Sequence, residues 1–220
     1  LIGVPIGFFT AVFLSKVANK KVKAVVGAAV NLLAGIPSVV YGLVGMLVLV
    51  PGIRILFNLP DGASLLASII VLAVMILPSI IKMSMTALDA VPREYEEGSL
   101  ALGATTTETY FKVSVPAAKS GIAAAVVLGV GRAIGETMAV IMVAGNQARI
   151  PTSILRGVRT MTANIVLEMG YATGLHRQAL IATGVVLFVF ILIINISFAI
   201  IKKRGETVSY THLTLPTTSR

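Results

Sequence analysis

Cysteine and tryptophan are both absent from the 220 residues, and charged side chains are scarce. Without cysteine, neither a disulfide framework nor a thiolate metal site can form. Without tryptophan, an aromatic belt at a membrane interface has to use Tyr and Phe. Only 12% of the residues are charged, against about 25% in an ordinary soluble domain. These absences argue against a soluble globular protein.

Apolar sequence fills the chain instead, with 56% hydrophobic residues. A helix of roughly 20 apolar residues crosses a bilayer. Four stretches come close to or exceed that length: residues 25–50, 64–81, 120–145 and 179–201. A fifth run, residues 1–14, is shorter and lacks the charged start of a signal peptide, so we expect it to be the remainder of a spanning helix. The sequence predicts an all-α membrane protein with five visible transmembrane helices.

The chain is organised as one membrane unit, predicted over residues 1–204. After it the composition changes abruptly, and we expect residues 205–220 to be a non-native or disordered tail without function. Within the first full span, Pro37 removes a backbone donor, so we expect the helix to kink or break there.

Lysine and arginine are distributed unequally between the two sides of these spans. One side carries eleven: Lys16, Lys20, Lys21, Lys23, Lys82, Arg93, Lys112, Lys119, Lys202, Lys203 and Arg204. The other carries five: Arg54, Arg149, Arg156, Arg159 and Arg177. The positive-inside rule places the richer side, with the long connection over residues 82–119, in the cytoplasm. The net charge of +9 is then a topology signal, and we predict no nucleic-acid partner.

The long cytoplasmic connection has the signals of a helical hairpin. Pro92 suits a first helical position, and Gly103 suits the end of that helix. Thr105 and Glu108 have the spacing of a capping box that opens a second helix, which we expect Pro116 to end.

Two charges fall inside the third full span. Arg132 and Glu136 are spaced i, i+4, which predicts that they share one helix face. Two interpretations stay open. They could neutralise each other and lock helix packing, or Arg132 could face a pathway and bind an oxyanion while Glu136 orients it. Small residues recur every four positions nearby and predict close helix packing: Gly121, Ala125, Gly129, Ala133, Gly131 and Gly135.

The hairpin resembles the cytoplasmic signature of ABC importer permeases. That signature is E-A-A, three residues, Gly, nine residues, an aliphatic residue, one residue, an aliphatic residue and Pro. Here Glu97-Gly98-Ser99 stands at the E-A-A position, Gly103 at the glycine, and Val113 and Pro116 in the closing segment. The resemblance implies a type I ABC importer permease fold of six helices, with Glu97, Gly103, Val113 and Pro116 in a coupling hairpin that docks on a separate ATPase.

The stretch from Gly131 to Val140, G-R-A-I-G-E-T-M-A-V, together with the segment from Leu33 to Gly42, is similar to the PstC-type permeases of phosphate importers. This resemblance implies that Arg132 and Glu136 are pathway residues. It also implies a PstA-like second permease, a cytoplasmic ATPase dimer, an extracytoplasmic phosphate-binding protein and surrounding lipid as partners. The expected location is a bacterial or archaeal cell membrane, the inner one in a Gram-negative cell. No P-loop is present, so ATP hydrolysis is expected on the partner, and no cofactor or metal is predicted.

Several alternatives remain at this stage. The substrate could be another oxyanion, such as molybdate or sulfate. An intramembrane enzyme that uses Glu136 as an acid or base is disfavoured, because no metal cluster, Ser/Lys dyad or carboxylate pair accompanies it. A channel or scaffold is disfavoured by the spacing from Glu97 to Gly103. Tyr41 could line the pathway or pack between helices, and the basic outward loop over residues 146–178 could face a binding protein or simply connect two spans.

Overall fold

In the computed structural model, residues 2–207 are described, with side chains up to residue 200. Within that range the chain forms twelve α-helices: α1 Gly3–Val12, α2 Lys20–Gly35, α3 Ser38–Val44, α4 Val50–Leu56, α5 Leu65–Asp89, α6 Arg93–Ala101, α7 Thr106–Thr109, α8 Val115–Ala117, α9 Lys119–Gly135, α10 Met138–Val143, α11 Met161–Glu168 and α12 Gly174–Thr207. Residues 205–207 continue α12, and the rest of the predicted tail lies outside the described residues. The all-α prediction is confirmed for this part of the chain.

Three helical segments are long and apolar enough to cross a membrane by themselves, among the residues described. They are Ser38–Leu56, Leu65–Asp89 and Gly174–Ile200. A fourth crossing exists if Thr106–Ala117 and Lys119–Gly135, which meet at 71°, are counted together. The fifth predicted span begins the chain as the shorter apolar helix Gly3–Val17.

Two of the predicted spans are not single helices, and only the first of their breaks was expected. The stretch over residues 25–50 breaks at Ile36 and Pro37, so that α2 is separate from the spanning segment that starts at Ser38. The stretch over residues 120–145 breaks after Gly135 and resumes as α10. Both breaks leave an extended residue, Ile36 or Glu136, at the end of the first helix.

The first break follows from Pro37, as predicted. In an unbroken helix the N–H of residue 37 would bond to the carbonyl of Leu33, but proline has no N–H. The Tyr41 hydroxyl donates to that carbonyl at 2.7 Å, and the Ile36 N–H also reaches it at 3.2 Å. Tyr41 is half-buried and packs against the apolar clusters around α5, which supports the packing interpretation.

Three π-helical turns interrupt the helices: Phe13–Val17, Gly45–Leu49 and Tyr110–Ser114. The second and third are each followed by a Val-Pro pair, Val50-Pro51 and Val115-Pro116. Because proline cannot donate to the ladder, a locally widened turn ahead of it re-pairs the neighbouring carbonyls. The helix that we expected to end at Pro116 therefore continues through this proline to Ala117.

The centre of the fold is α5, against which α1 and α9 pack most extensively. Small residues permit the close approach. A Cβ added to Gly7 or Gly129 would lie 2.8 Å from the Ile80 side chain, and one added to Gly121 would lie 2.4 Å from Ala87. Gly131 and Gly135, by contrast, face open space within the described chain. The predicted small-residue packing is thus confirmed for one stripe, whereas the G-x-x-x-G pair contacts no other helix of the described chain.

The distribution of basic residues predicts which connections between helices lie at the same end of the bundle, and contacts between these connections confirm the grouping. At one end Lys16 contacts Glu96 of the hairpin, and Lys23 contacts Asp89 at the end of α5. At the other end the Leu65 N–H donates to the Arg156 carbonyl at 2.9 Å. The hairpin and the basic loop after α1 therefore lie together, opposite the loop that precedes α11.

Candidate functional site

Arg132 lies in the last turn of α9, one helix turn before the break. Its side chain is exposed, and its Nη1 lies 3.4 Å from the Ser79 Oγ of α5. No carboxylate lies within 4.0 Å of it in the part of the chain that the structure describes. Ser79 was missed by sequence reasoning, since nothing in the local pattern relates residues 53 positions apart. The guanidinium keeps most of its donors available to a ligand.

Glu136 is not on the same helix face as Arg132, which corrects the prediction. Because α9 ends at Gly135, Glu136 is extended, with ψ 133°. Its Oε1 accepts a hydrogen bond from the Ala139 N–H at 3.1 Å, and its carbonyl accepts one from the Thr162 hydroxyl at 3.2 Å. The carboxylate thus caps the first turn of α10 instead of neutralising Arg132.

The two helix breaks are held close to each other because α3 packs against α10. A Cβ added to Gly42 would lie only 2.8 Å from the Ala139 Cα, so these helices are in backbone contact. Beside them an open groove of about 1040 Å³ is lined almost wholly by aliphatic side chains of α3, α4 and α5, with Tyr41 in its wall. An apolar lining of this kind does not suit an anion, in contrast to the polar surroundings of Arg132.

The predicted hairpin is present, and its turn has the predicted chemistry. Gly103 adopts a φ of +89°, the left-handed conformation that glycine takes without strain. Thr105 and Glu108 form a reciprocal capping box, and Lys112 donates to Glu108 at 3.1 Å. These hydrogen bonds, first that of the Thr105 backbone, lower the pKa of Glu108 to about 2. Pro92 stands one position earlier than predicted, as the N-cap of α6.

The signature residues of the hairpin differ in exposure. Glu97 and Pro116 are exposed, and Val113 is half-buried. At the tip, next to Gly103, Leu102 is 91% exposed. An uncovered leucine at the end of a helical hairpin is suited to insertion into a partner's groove.

The outward loop contains an ion pair that the sequence reasoning missed. Arg159 donates to Glu168 at 2.7 Å and to the Asn146 carbonyl at 2.9 Å, so it ties the loop to α11. A hydrogen bond from Tyr171, and then the Arg159 guanidinium, hold the pKa of Glu168 below its usual range. The other arginines of this loop are exposed, and so is His176, as predicted. Glu168 is the only carboxylate in this basic loop, which is the one sequence signal that could have indicated the pair.

No group of three or more His, Cys, Asp or Glu side chains that could hold a metal occurs among residues 2–207. The candidate site consists of a guanidinium beside a hydroxyl at a helix break, and α5 and α9 connect it to a capped hairpin.

Residues 3–206 match the protein family described as the binding-protein-dependent transport system inner membrane component. The chain belongs to this family. Its members are membrane components of transport systems, in agreement with the prediction that the chain is a transport subunit and not an enzyme.

Individual relatives agree with the family. The chain is 45% identical over 201 residues to the probable ABC transporter permease protein YqgH of Bacillus subtilis, and 39% identical over 214 residues to the phosphate transport system permease protein PstC of Mesorhizobium japonicum. These alignments cover 89% and 88% of this chain and 65% of each relative. A PstC of Haemophilus influenzae is 34% identical, over 94% of this chain and 72% of its own length. The chain thus spans just under two thirds of the first two relatives.

Solved structures show the same fold. Inward-facing structures of the MetNI methionine ABC transporter superpose with TM-scores of 0.74 and 0.71, over 93% of this chain and 88% of the matched chain. The sequence identities are 24% and 23%, so the likeness concerns the fold alone. The expected type I importer permease fold is confirmed for this member of the family.

Proposed function

We propose that this family member is a permease subunit of an ATP-driven phosphate importer and forms the phosphate pathway. The PstC relatives support phosphate as the substrate. The proposed surroundings are a bacterial or archaeal cell membrane, the inner membrane in a Gram-negative cell, with a PstA-like second permease and an extracytoplasmic phosphate-binding protein.

The observation that carries the proposal is the exposed guanidinium of Arg132 next to Ser79. A charge at membrane depth is costly unless it faces a cavity or a partner, and Glu136 does not supply that partner because it caps α10. A guanidinium can bind two oxygens of a tetrahedral oxyanion at once, and the Ser79 hydroxyl adds a further hydrogen bond. We propose Arg132 as the binding residue and Glu136 as the residue that fixes the helix break beside it.

We propose that the hairpin couples the permease to ATP hydrolysis on a separate subunit. Its exposed Glu97 and Leu102 lie at the end of the bundle that the positive-inside rule assigns to the cytoplasm. We propose that a separate ATPase dimer binds this tip, with Gly103 fixing the turn and with Val113 and Pro116 in the returning helix. Displacement of the hairpin would then alternate access to Arg132 from the two sides.

The test is ATP-dependent uptake of labelled phosphate into vesicles that contain the full-length permease and its partner subunits. Hydrogen bonds to charged groups contribute about 1.5–3 kcal/mol, so Arg132→Gln should weaken apparent phosphate affinity by roughly 10- to 100-fold. Arg132→Lys keeps the charge without the bidentate geometry and should fall in between. Arg54→Gln, which replaces an exposed arginine of α4, is the matched control and should transport like the native protein.

The results separate the assignments. Native uptake by the unmodified protein, with weakened apparent phosphate affinity in an assembled Arg132→Gln variant, supports the site. Equal uptake by that variant would refute the site assignment while leaving the permease function intact. Uptake of molybdate or sulfate in place of phosphate would show that the substrate is wrong.

A further inference from the structure

A three-way polar junction lies where the hairpin meets the membrane helices. Glu96 of α6 accepts hydrogen bonds through Oε1 from Lys16 Nζ at 2.5 Å and from Ser114 Oγ at 2.7 Å. Lys16 belongs to the π-helical turn that ends the first helix, and Ser114 to the π-helical turn within the hairpin. One carboxylate oxygen thus joins both arms of the hairpin to the first helix of the chain.

The junction is shielded from water. Ser114 is fully buried, and the side chains of Lys16 and Glu96 are only 11% and 20% exposed. Burial by itself raises the pKa of Glu96, but the hydrogen bonds from Lys16 and Ser114 outweigh it, so the pKa lies below its ordinary range. Removing either partner of such a pair leaves a desolvated charge without compensation, so the pair resists separation more than a surface ion pair does.

The residue next to Lys16 forms a second connection. Ser15 Oγ donates to Asp89 Oδ1 at 2.5 Å, at the end of α5, and Lys23 Nζ lies 3.1 Å from Asp89 Oδ2. Consecutive residues of one π-helical turn therefore hold the end of α5 and the hairpin at the same time.

Apolar packing reinforces both connections. A buried cluster joins α1, the end of α5, the segment before α6 and the residue that connects α8 to α9; it consists of Ala11, Val12, Leu88, Val91 and Ala118. Interiors of this kind are close-packed and transmit displacement instead of absorbing it. The hairpin base is consequently fixed to the first helix by packing as well as by charge.

We propose that Lys16 and Glu96 are positioning residues that make the coupling hairpin and the first helix move as one rigid body. This inference rests on the proposed function, in which an ATPase displaces the hairpin. Through the Lys16–Glu96 connection that displacement reaches α1, and α1 packs along α5 beside Ile76 and Ile80. The hydroxyl partner of Arg132, Ser79, lies in the same part of α5.

The test replaces the ion pair by a covalent connection. These 220 residues contain no cysteine, so Lys16→Cys with Glu96→Cys introduces the only thiols when the rest of the permease and the partner subunits are also free of cysteine. Before cross-linking, the assembled double variant should move less phosphate per ATP hydrolysed, by roughly fivefold or more, the lower end of usual coupling factors between sites. A short bis-maleimide should then restore transport, since a rigid body tolerates a fixed distance. The single Lys16→Cys variant with the same reagent is the control.

A charge exchange provides a second measurement, for which a purely structural role predicts a different result. Lys16→Glu and Glu96→Lys should each lower the phosphate moved per ATP, and the two together should recover most of it. Lys112 of the hairpin is 74% exposed and pairs with Glu108, so Lys112→Gln removes an ion pair without touching the capping box and should leave the ratio unchanged.

Each outcome has one meaning. Loss of transport on cross-linking, while ATP hydrolysis continues, would show that the two elements move apart and would overturn the inference. A native transport ratio in the assembled single variants would overturn it as well. A native complex that hydrolyses ATP without moving phosphate would instead refute the proposed function.

Discussion

The hydrogen bond from Tyr41 to Leu33 gives a quantitative test of how the chain compensates for Pro37. The hydroxyl lies 2.7 Å from a carbonyl whose helical donor is missing. A typical intramolecular hydrogen bond contributes about 1 kcal/mol net, so Tyr41→Phe should destabilise the protein by about that amount, close to a fivefold change in the unfolding equilibrium. The Ile36 N–H, at 3.2 Å, still satisfies part of the carbonyl and limits the loss.

The decisive comparison uses Pro37→Ala as a second background. Alanine at position 37 can supply the missing N–H, so the Leu33 carbonyl no longer depends on Tyr41. Tyr41→Phe should then cost clearly less than in the native background, and the double-mutant cycle should give a coupling energy of roughly 0.5–1 kcal/mol. The assay is unfolding by a denaturing detergent in mixed micelles, followed by circular dichroism.

The control for this cycle is Tyr95→Phe. Tyr95 is 54% exposed on the hairpin, and its hydroxyl makes no hydrogen bond within the described part of the chain. It should change stability little. Equal costs of Tyr41→Phe in both backgrounds would refute the assignment, because the hydroxyl would then not be replacing the donor that proline lacks.

Two further predictions concern the α3–α10 contact and the hairpin cap. Gly42→Ala places a methyl group 2.8 Å from the Ala139 Cα and should lower the free energy of unfolding by about 1–3 kcal/mol in the same assay. Gly27→Ala, with nothing within 4 Å of the added methyl group, should not destabilise the protein. Similar losses at both positions would contradict the backbone contact. The folded state lowers the pKa of Glu108 to about 2. The stability that its carboxylate gives to the hairpin is therefore fully present above the ordinary carboxyl pKa and is lost as the pH falls toward 2. The amide protection factors over residues 106–114, which correct for the intrinsic pH dependence of exchange, should fall across that window in the native chain, and a Glu108→Gln chain with the same pH profile would contradict this.

Local chemistry predicted the hairpin well, since its rules act within one or two turns. A capping box needs only Thr105 and Glu108, three positions apart, and a left-handed helix end needs only a residue such as Gly103. The break at Pro37 is equally local. The assignment of connections to the two ends of the bundle also succeeded, because basic residues near spans report the side directly.

The position of Glu136 could not be predicted in the same way. No proline or other strong stop signal marks the end of α9, and an i, i+4 pair normally implies a shared face. The helix ends at Gly135 while α10 packs against α3 through Gly42, and that packing depends on residues almost a hundred positions away. The carboxylate then caps the new helix, so the predicted pairing with Arg132 is lost.

The sequence by itself determined that the chain is an all-α membrane protein, that its first full apolar stretch breaks at Pro37, and which connection forms a capped hairpin. These properties depend on composition and on spacings shorter than two helix turns. Only the tertiary structure decided that Ser79 meets Arg132, that Lys16 meets Glu96 across 80 positions, and that Arg159 meets Glu168. Such pairs depend on the relative registers of packed helices, which many close-packed apolar contacts set together and no local pattern records.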